Sequence, residues 1–303
     1  MDRQEESSVT VAASVFRHAR LFRETVVPWQ TLSGLAWLLA GVFCCGQPVR
    51  IFSDWTAIPL LIALVSIRFS GMCWNNLIDW QFDVLHPRNR YRALPSGRLR
   101  PQALALYALG TLFVFLVSCA FLPPVGQAMG IVLAIAVLLY SFTKRVTVGC
   151  HFFLGLIYAC LPIAGAVWQG NSISHASLFL GLASFFAVSG TDILYAVQDM
   201  TFDRKLGLKS IPARFGVFFA RGAAAALHGA AVVGCTLGFL KAGVGLVGFG
   251  VWGAALALLF AAWRLLWIGS TEDLSKSFPF LLSFFPIAAF GVFLADRAWI
   301  MLL

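Results

Sequence analysis

Residues 101–143 read PQALALYALGTLFVFLVSCAFLPPVGQAMGIVLAIAVLLYSFT, without one Asp, Glu, Lys or Arg. A helix needs about 20 predominantly apolar residues to cross a bilayer, and this run is long enough for two. Its middle, Phe121-Leu-Pro-Pro-Val-Gly126, carries two prolines and a glycine, which read as a turn between two spans. Residues 26–49, 146–191, 222–240, 242–263 and 277–295 are equally free of those four residue types. The segment 169–175, QGNSISH, divides the longest of them. The reading outward from 101–143 is therefore nine spans, at about 27–46, 56–80, 101–121, 127–143, 148–168, 176–198, 217–239, 244–266 and 278–301. The apolar runs are continuous and not alternating, which excludes a membrane β-barrel. Of 303 residues, 60% are hydrophobic and 12% charged, with a mean hydropathy of +0.85. A soluble domain carries roughly 25% charged residues, so a soluble globule and a disordered chain are both excluded. The fold class is all-α and integral to the membrane, with residues 1–26 as an N-terminal segment and 27–303 as one nine-helix domain.

The formal net charge is +9, but its distribution points away from nucleic acid. Eighteen of the 22 Lys and Arg fall in the N-terminal segment and in the loops after spans two, four, six and eight. The opposite face keeps only Arg50, Lys241 and Arg297. Excess Lys and Arg mark cytoplasmic loops, so the N-terminus is expected in the cytoplasm and the C-terminus outside. The first 25 residues are polar and charged, with no short apolar core before a small-residue cleavage site, so no cleavable leader is expected. Seven cysteines, an odd number lying mostly within apolar runs, read as free thiols packed among helices.

Acids are scarce, 13 in all, and five of them form two clusters. One follows Arg68: Asn75, Asp79 and Asp83 lie 7, 11 and 15 positions further on and share a helical face with it. The other places Asp192, Tyr195, Asp199 and Asp203 on one face. The pair Asp199 and Asp203 repeats Asp79 and Asp83 120 positions later, an echo that suggests two related halves. Carboxylates one turn apart repel, and at a membrane edge the repulsion is costly. A divalent cation relieves it, and all-oxygen ligands favour Mg²⁺, which is held by one or two carboxylates plus substrate phosphates. Two such clusters beside loops rich in Arg and Lys describe a site for a metal–diphosphate complex. Arg68 lies about seven residues deeper than Asn75, where an arginine facing polar partners reads as functional.

These residues resemble the signatures of the UbiA superfamily of intramembrane prenyltransferases. The family's first motif, NDxxDxxxD, corresponds to Asn75-Asn76-Leu-Ile-Asp79-Trp-Gln-Phe-Asp83. Its second, a DxxxD in a longer run, corresponds to the stretch from Asp192 through Asp199 and Asp203 to Lys209, Arg214 and Gly216. Arg88-Asn-Arg-Tyr-Arg92-Ala-Leu-Pro-Ser-Gly97 is similar to RxxxRxLPSG, and Tyr140-Ser-Phe-Thr-Lys144-Arg145 to YxxxKR. The long second motif looks most like the 4-hydroxybenzoate polyprenyltransferase branch, including members serving the futalosine route to menaquinone. Asn76 departs from the usual acid, but it lies about 100° off the face of Asn75, Asp79 and Asp83.

The resemblance implies nine helices around a polar central cavity open to the cytoplasm, in a bacterial inner membrane, with an apolar side tunnel. It implies prenyl transfer from a polyprenyl diphosphate to an aromatic hydroxy acid, 4-hydroxybenzoate or a hydroxynaphthoate, in ubiquinone or menaquinone biosynthesis. Mg²⁺ would be held by Asn75, Asp79, Asp83, Asp199 and Asp203, and the diphosphate by Arg88, Arg92, Lys144 and Lys209. Arg68 would pair with the acceptor's carboxylate, Asp192 would orient or deprotonate the acceptor, and Tyr140 and Tyr195 would line the path of the allylic cation. A haem, chlorophyll or homogentisate acceptor is the alternative within the superfamily. Outside it, a secondary transporter also uses intramembrane Asp and Arg. Its sites lie near the midplane, whereas these acids sit at helix ends.

Overall fold

The computed structural model describes residues 16–45, 54–170 and 172–302; Arg3 and Arg50 lie outside them. Among the described residues helix is the only regular secondary structure, with nine principal helices: α1 (Thr31–Phe43), α2 (Ala57–Ile78), α3 (Pro101–Cys119), α4 (Pro124–Val146), α5 (Cys150–Gly170), α6 (His175–Ala196), α7 (Ile211–Lys241), α8 (Leu246–Ile268) and α9 (Phe278–Leu302). Local sequence explains several boundaries. Pro101 and Pro124 open α3 and α4, where a missing N–H leaves nothing unsatisfied. Ser174 begins α6 in a reciprocal capping box with Ser177.

Eight helical stretches are long and apolar enough to cross a membrane. The first expected span, 27–46, differs. Its described helix, α1, has 13 residues, about 20 Å at ~1.5 Å per residue, short of the ~30 Å hydrocarbon core. A ninth crossing needs the preceding helix Phe16–Val26, which meets α1 at a bend of 63°. The break has a local cause, because Val27 adopts φ 46° and Pro28 follows it.

Packing in lipid requires close backbones and no orphaned polar groups. Helices α1, α5, α6 and α9 pack together at the centre, while α3, α4 and α8 turn large apolar side chains such as Phe113, Ile131 and Phe260 outward. A Cβ on Gly41 of α1 would lie 1.9 Å from the Pro162 carbonyl oxygen, and one on Gly165 of α5 would lie 2.1 Å from that of Leu38. The two helices therefore touch backbone to backbone. Two prolines interrupt helices, and each frees the carbonyl four residues earlier. Pro162 frees that of Tyr158, which accepts the Ser184 hydroxyl at 3.1 Å. Pro286 frees that of Leu282, which accepts the Ser33 hydroxyl at 2.7 Å. Each kink is thus bonded to a neighbouring helix.

The connections after α2, α4 and α6 meet at one end of the bundle, where the Lys209 amide donates to the Lys144 carbonyl at 2.7 Å and Arg88 reaches Asp199 at 3.0 Å. At the other end the Gly245 amide donates to Asp296 at 2.7 Å.

The Gly41 contact makes a stability prediction. Gly41→Ala will lower the thermal midpoint in detergent by several degrees, from a loss of roughly 2 kcal/mol or more through overpacking. Gly110→Ala, on α3 with open space around it, will leave the midpoint unchanged or raise it. Equal midpoints for the two variants would show that α1 and α5 do not rely on this contact.

Candidate active site

The acidic clusters do not lie on uninterrupted helices. Helix α2 ends at Ile78, Asp79 occupies the joint, and a short helix, Trp80–Leu85, carries Asp83. The second cluster divides likewise: Asp192 and Tyr195 stand on α6, Asp199 closes the 3₁₀ turn Val197–Asp199, and Asp203 sits on Met200–Leu206. Helical twist nearly continues through each joint, with the Asp83 amide donating to the Asp79 carbonyl at 2.9 Å, so the shared face survives. Gly207, at φ 70°, ends the second short helix in a left-handed conformation open to glycine.

All four motif aspartates line one polar cavity, with Asn75, Arg88, Arg92, Lys144, Tyr140, Tyr195 and Asp192. Asp79, Asp83 and Asp203 are only 4%, 5% and 6% exposed. Each carboxylate is held by a different partner. Lys144 Nζ lies 3.4 Å from Asp79 Oδ2, to which Asn75 Nδ2 also donates at 3.1 Å. Arg92 and Asn89 donate to Asp83 at 3.0 and 2.7 Å. Arg88 donates to both oxygens of Asp199 at 3.0 and 3.2 Å. Ser210, the N-cap of α7, donates its hydroxyl to Asp203 at 3.1 Å. Burial pushes the Asp79 carboxyl above its usual range, the Lys144 ammonium pulls it down, and the neighbouring Asp83 pushes it up again.

A second, mostly apolar cavity opens from the first. Asn75, Arg92, Tyr140, Asp192 and Tyr195 border both. Arg68 lies in the apolar one, donating to the Gln30 side-chain oxygen, while its buried Nε has no partner. Beyond Leu64, Ile67, Leu133 and Leu161 a further, narrow apolar groove continues among α2, α3, α4 and α5. The Arg88 guanidinium stands 5.5 Å from the Tyr195 ring centroid.

Twelve of the thirteen singled-out residues therefore meet in two joined chambers. Lys209 does not: its ammonium donates to the Val146 carbonyl at 2.9 Å, capping α4, and only its backbone supports Lys144. Several neighbours carry no signal in the sequence. His86 Nε2 lies 3.0 Å from Asp199 Oδ1, while its Nδ1 accepts the Arg88 and Asn89 amides at 3.2 and 3.4 Å, which places the ring proton on Nε2. His86 and Asn89 stand in and beside the basic loop, but neither fits a charge pattern.

The cavity can hold a divalent cation. Its donors are all oxygen, and Asp79 Oδ1 is buried without a hydrogen-bond partner. Among the described residues no three His, Cys, Asp or Glu side chains converge as a closed ligand set.

Residues 28–285 match the UbiA prenyltransferase family, and the chain belongs to it. A 4-hydroxybenzoate octaprenyltransferase from Aeromonas salmonicida is 31% identical over 62% of this chain and 62% of its own length. A 4-hydroxybenzoate geranyltransferase from Lithospermum erythrorhizon is 29% identical over 60% of each chain. The chain thus spans less than two thirds of these relatives. The apo structure of a UbiA homologue from Aeropyrum pernix superposes with a TM-score of 0.78 at 25% identity, covering 89% of this chain and 98% of that one. A homologue from Archaeoglobus fulgidus, bound to geranyl diphosphate and Mg²⁺, shares the fold at a TM-score of 0.64 and 20% identity, covering 90% and 99%.

The crowding of the acids makes a testable prediction. A carboxylate whose folded pKa is raised favours the protonated folded state, so it stabilises least once pH has risen through that value. At neutral pH Asp79→Asn will therefore leave the ligand-free thermal midpoint unchanged or higher. A midpoint several degrees lower without ligand would mark Asp79 as a structural residue.

Proposed function

We propose that this protein transfers a polyprenyl group from a polyprenyl diphosphate to a ring carbon of an aromatic hydroxy acid, 4-hydroxybenzoate or a hydroxynaphthoate, as a step of quinone biosynthesis. One observation carries the reading: an acid- and cation-lined chamber opens directly into an apolar one that contains a partnerless arginine nitrogen. The two chambers match the two ends of a prenyl diphosphate, and the arginine matches the carboxylate of an acidic acceptor. Relatives named for 4-hydroxybenzoate prenyl transfer support the same choice. In the cell the polar chamber faces the cytoplasm of a bacterial inner membrane, which the basic loops at that end support. Residues 27–303 are the transferase unit of this reading, and the preceding helix Phe16–Val26 joins α1 in the bent first crossing that a cytoplasmic N-terminus requires.

Asn75, Asp79, Asp83, Asp199 and Asp203 would hold Mg²⁺, which, when bound, neutralises diphosphate charge and assists its departure. Arg88, Arg92 and Lys144 are now paired with aspartates; a diphosphate draws them toward its own oxygens, where guanidinium forks bind two at once. Tyr140 and Tyr195 border the junction of the chambers, where their electron-rich ring faces flank the allylic carbon as positive charge develops. The tail lies in the apolar chamber and the groove beyond. Arg68, oriented by Gln30, binds the acceptor carboxylate, and Asp192 accepts its phenolic hydrogen bond. Enclosure of this junction excludes water, which would otherwise capture the cation.

Product mass spectrometry tests the assignment: purified protein with Mg²⁺, geranyl diphosphate and a panel of aromatic hydroxy acids will yield prenylated acid, and chelator will abolish it. A full yield in chelator, or no prenylated acid, contradicts the reading. Arg68→Lys keeps the charge but loses the fork. It will raise KM for the acid about tenfold or more, with KM for the prenyl diphosphate within about twofold. Acceptors lacking the carboxylate will be affected much less. Equal losses for both kinds of acceptor would make Arg68 a structural cation.

A further inference from the structure

Behind Asp192 stands a residue that the transfer reaction has not yet used. His151, on the first turn of α5, is 2% exposed, and its Nδ1 lies 2.6 Å from Asp192 Oδ2. Its Nε2 accepts the Ile211 backbone N–H at 3.3 Å. A nitrogen that accepts carries no proton in the neutral ring, so the proton sits on Nδ1 and is donated to Asp192. With Oδ2 occupied, Oδ1 is the oxygen left for a ligand, on a side chain 17% exposed at the junction of the two chambers.

The anchor is rigid. Ile211 is the first residue of α7, and the preceding Ser210 holds Asp203. One turn of backbone thus fixes both the imidazole behind Asp192 and an acid of the second motif. We propose that His151 is a positioning residue: it locks the Asp192 carboxylate so that Oδ1 meets the phenolic hydroxyl of the aromatic acceptor.

This assignment rests on the function proposed above. In that reaction the allylic C1–O bond breaks, and its electron pair leaves with the diphosphate. The ring carbon ortho to the hydroxyl forms the new bond to C1 while the phenolic proton passes to Asp192 Oδ1. The resulting dienone loses the hydrogen on the alkylated carbon as a proton, to diphosphate or solvent, and regains the oxygen-bound proton from Asp192. His151 keeps its own proton throughout, because Nε2 is already occupied by a backbone amide.

The test uses the full chain in nanodiscs with Mg²⁺, geranyl diphosphate and 4-hydroxybenzoate. It measures prenylated acid and, without acceptor, the prenyl alcohol formed by solvolysis. His151→Leu will lower kcat for prenylated acid at least about tenfold, a part of the ~10²–10⁴ that a positioned base contributes. It will leave solvolysis and the geranyl diphosphate KM within about twofold of wild type. His151→Asn, whose amide can donate from the Nδ1 position, will recover most of the rate. The double variant His151→Leu/Asp192→Asn will be no slower than Asp192→Asn, because both act through one carboxylate. The assignment is overturned by wild-type kcat in His151→Leu, by a parallel fall in solvolysis, by failure of His151→Asn to recover rate, or by additive losses in the double variant. If the wild type itself makes no prenylated acid, the functional reading falls and takes the assignment with it.

Discussion

Carboxylates withdrawn from water at the rim of a membrane bundle need counter-charge, and this site is built around that need. Three of the four motif aspartates are all but buried, and all four line a single cavity. Unpaired, such charges cost several kcal/mol each. The ligand-free chain meets the demand with Lys144, Arg92 and Arg88 on Asp79, Asp83 and Asp199. These pairings are an interim arrangement in which acids and cations neutralise each other. A metal–diphosphate complex carries both signs of charge, so it can replace every pairing at once: metal to the acids, phosphate oxygens to the cations.

Such an arrangement requires that the joints bearing the acids do not drift, and lipid supplies the discipline. Every freed backbone carbonyl must find a donor, and those opposite Pro162 and Pro286 find Ser184 and Ser33 on neighbouring helices. The contact of Gly41 with Pro162 brings α1 against α5, and α1 carries the Gln30 end that orients Arg68. The scaffold and the Arg68 side of the apolar chamber are therefore held by the same packing. The change from polar to apolar lining occurs at Tyr140, Asp192 and Tyr195, which is where the reactive carbon of a bound prenyl diphosphate would lie.

Much of this is legible in the chain. Hydrophobic spans depend on local composition, so the expected helices agree with the observed ones to within a few residues over most of their length. The acids announce themselves because charge is rare in such a sequence and because the DxxxD spacing occurs twice, each time before a basic loop. The first span is the exception, since Val27-Pro28 redirects the backbone in a way composition does not record. Lys209 shows a second limit: a cation in a basic loop is visible, but whether it turns to a cavity or to a helix end depends on its neighbour's carbonyl. His86 and His151 are invisible for a related reason. Their partners Asp199 and Asp192 lie 113 and 41 positions away, and no local pattern marks a lone histidine as oriented toward an acid.

The central claim is that acids and cations receive the diphosphate together, through a divalent metal. Calorimetric titration of an unreactive prenyl diphosphate analogue into the detergent-solubilised chain measures this directly, once with Mg²⁺ and once with chelator. Losing the metal leaves the analogue's negative charge facing four carboxylates, so affinity will fall about 100-fold or more, roughly 2.7 kcal/mol. Equal affinity in chelator would contradict the account, because the arginines and Lys144 would then suffice and the buried aspartates would have no part in binding.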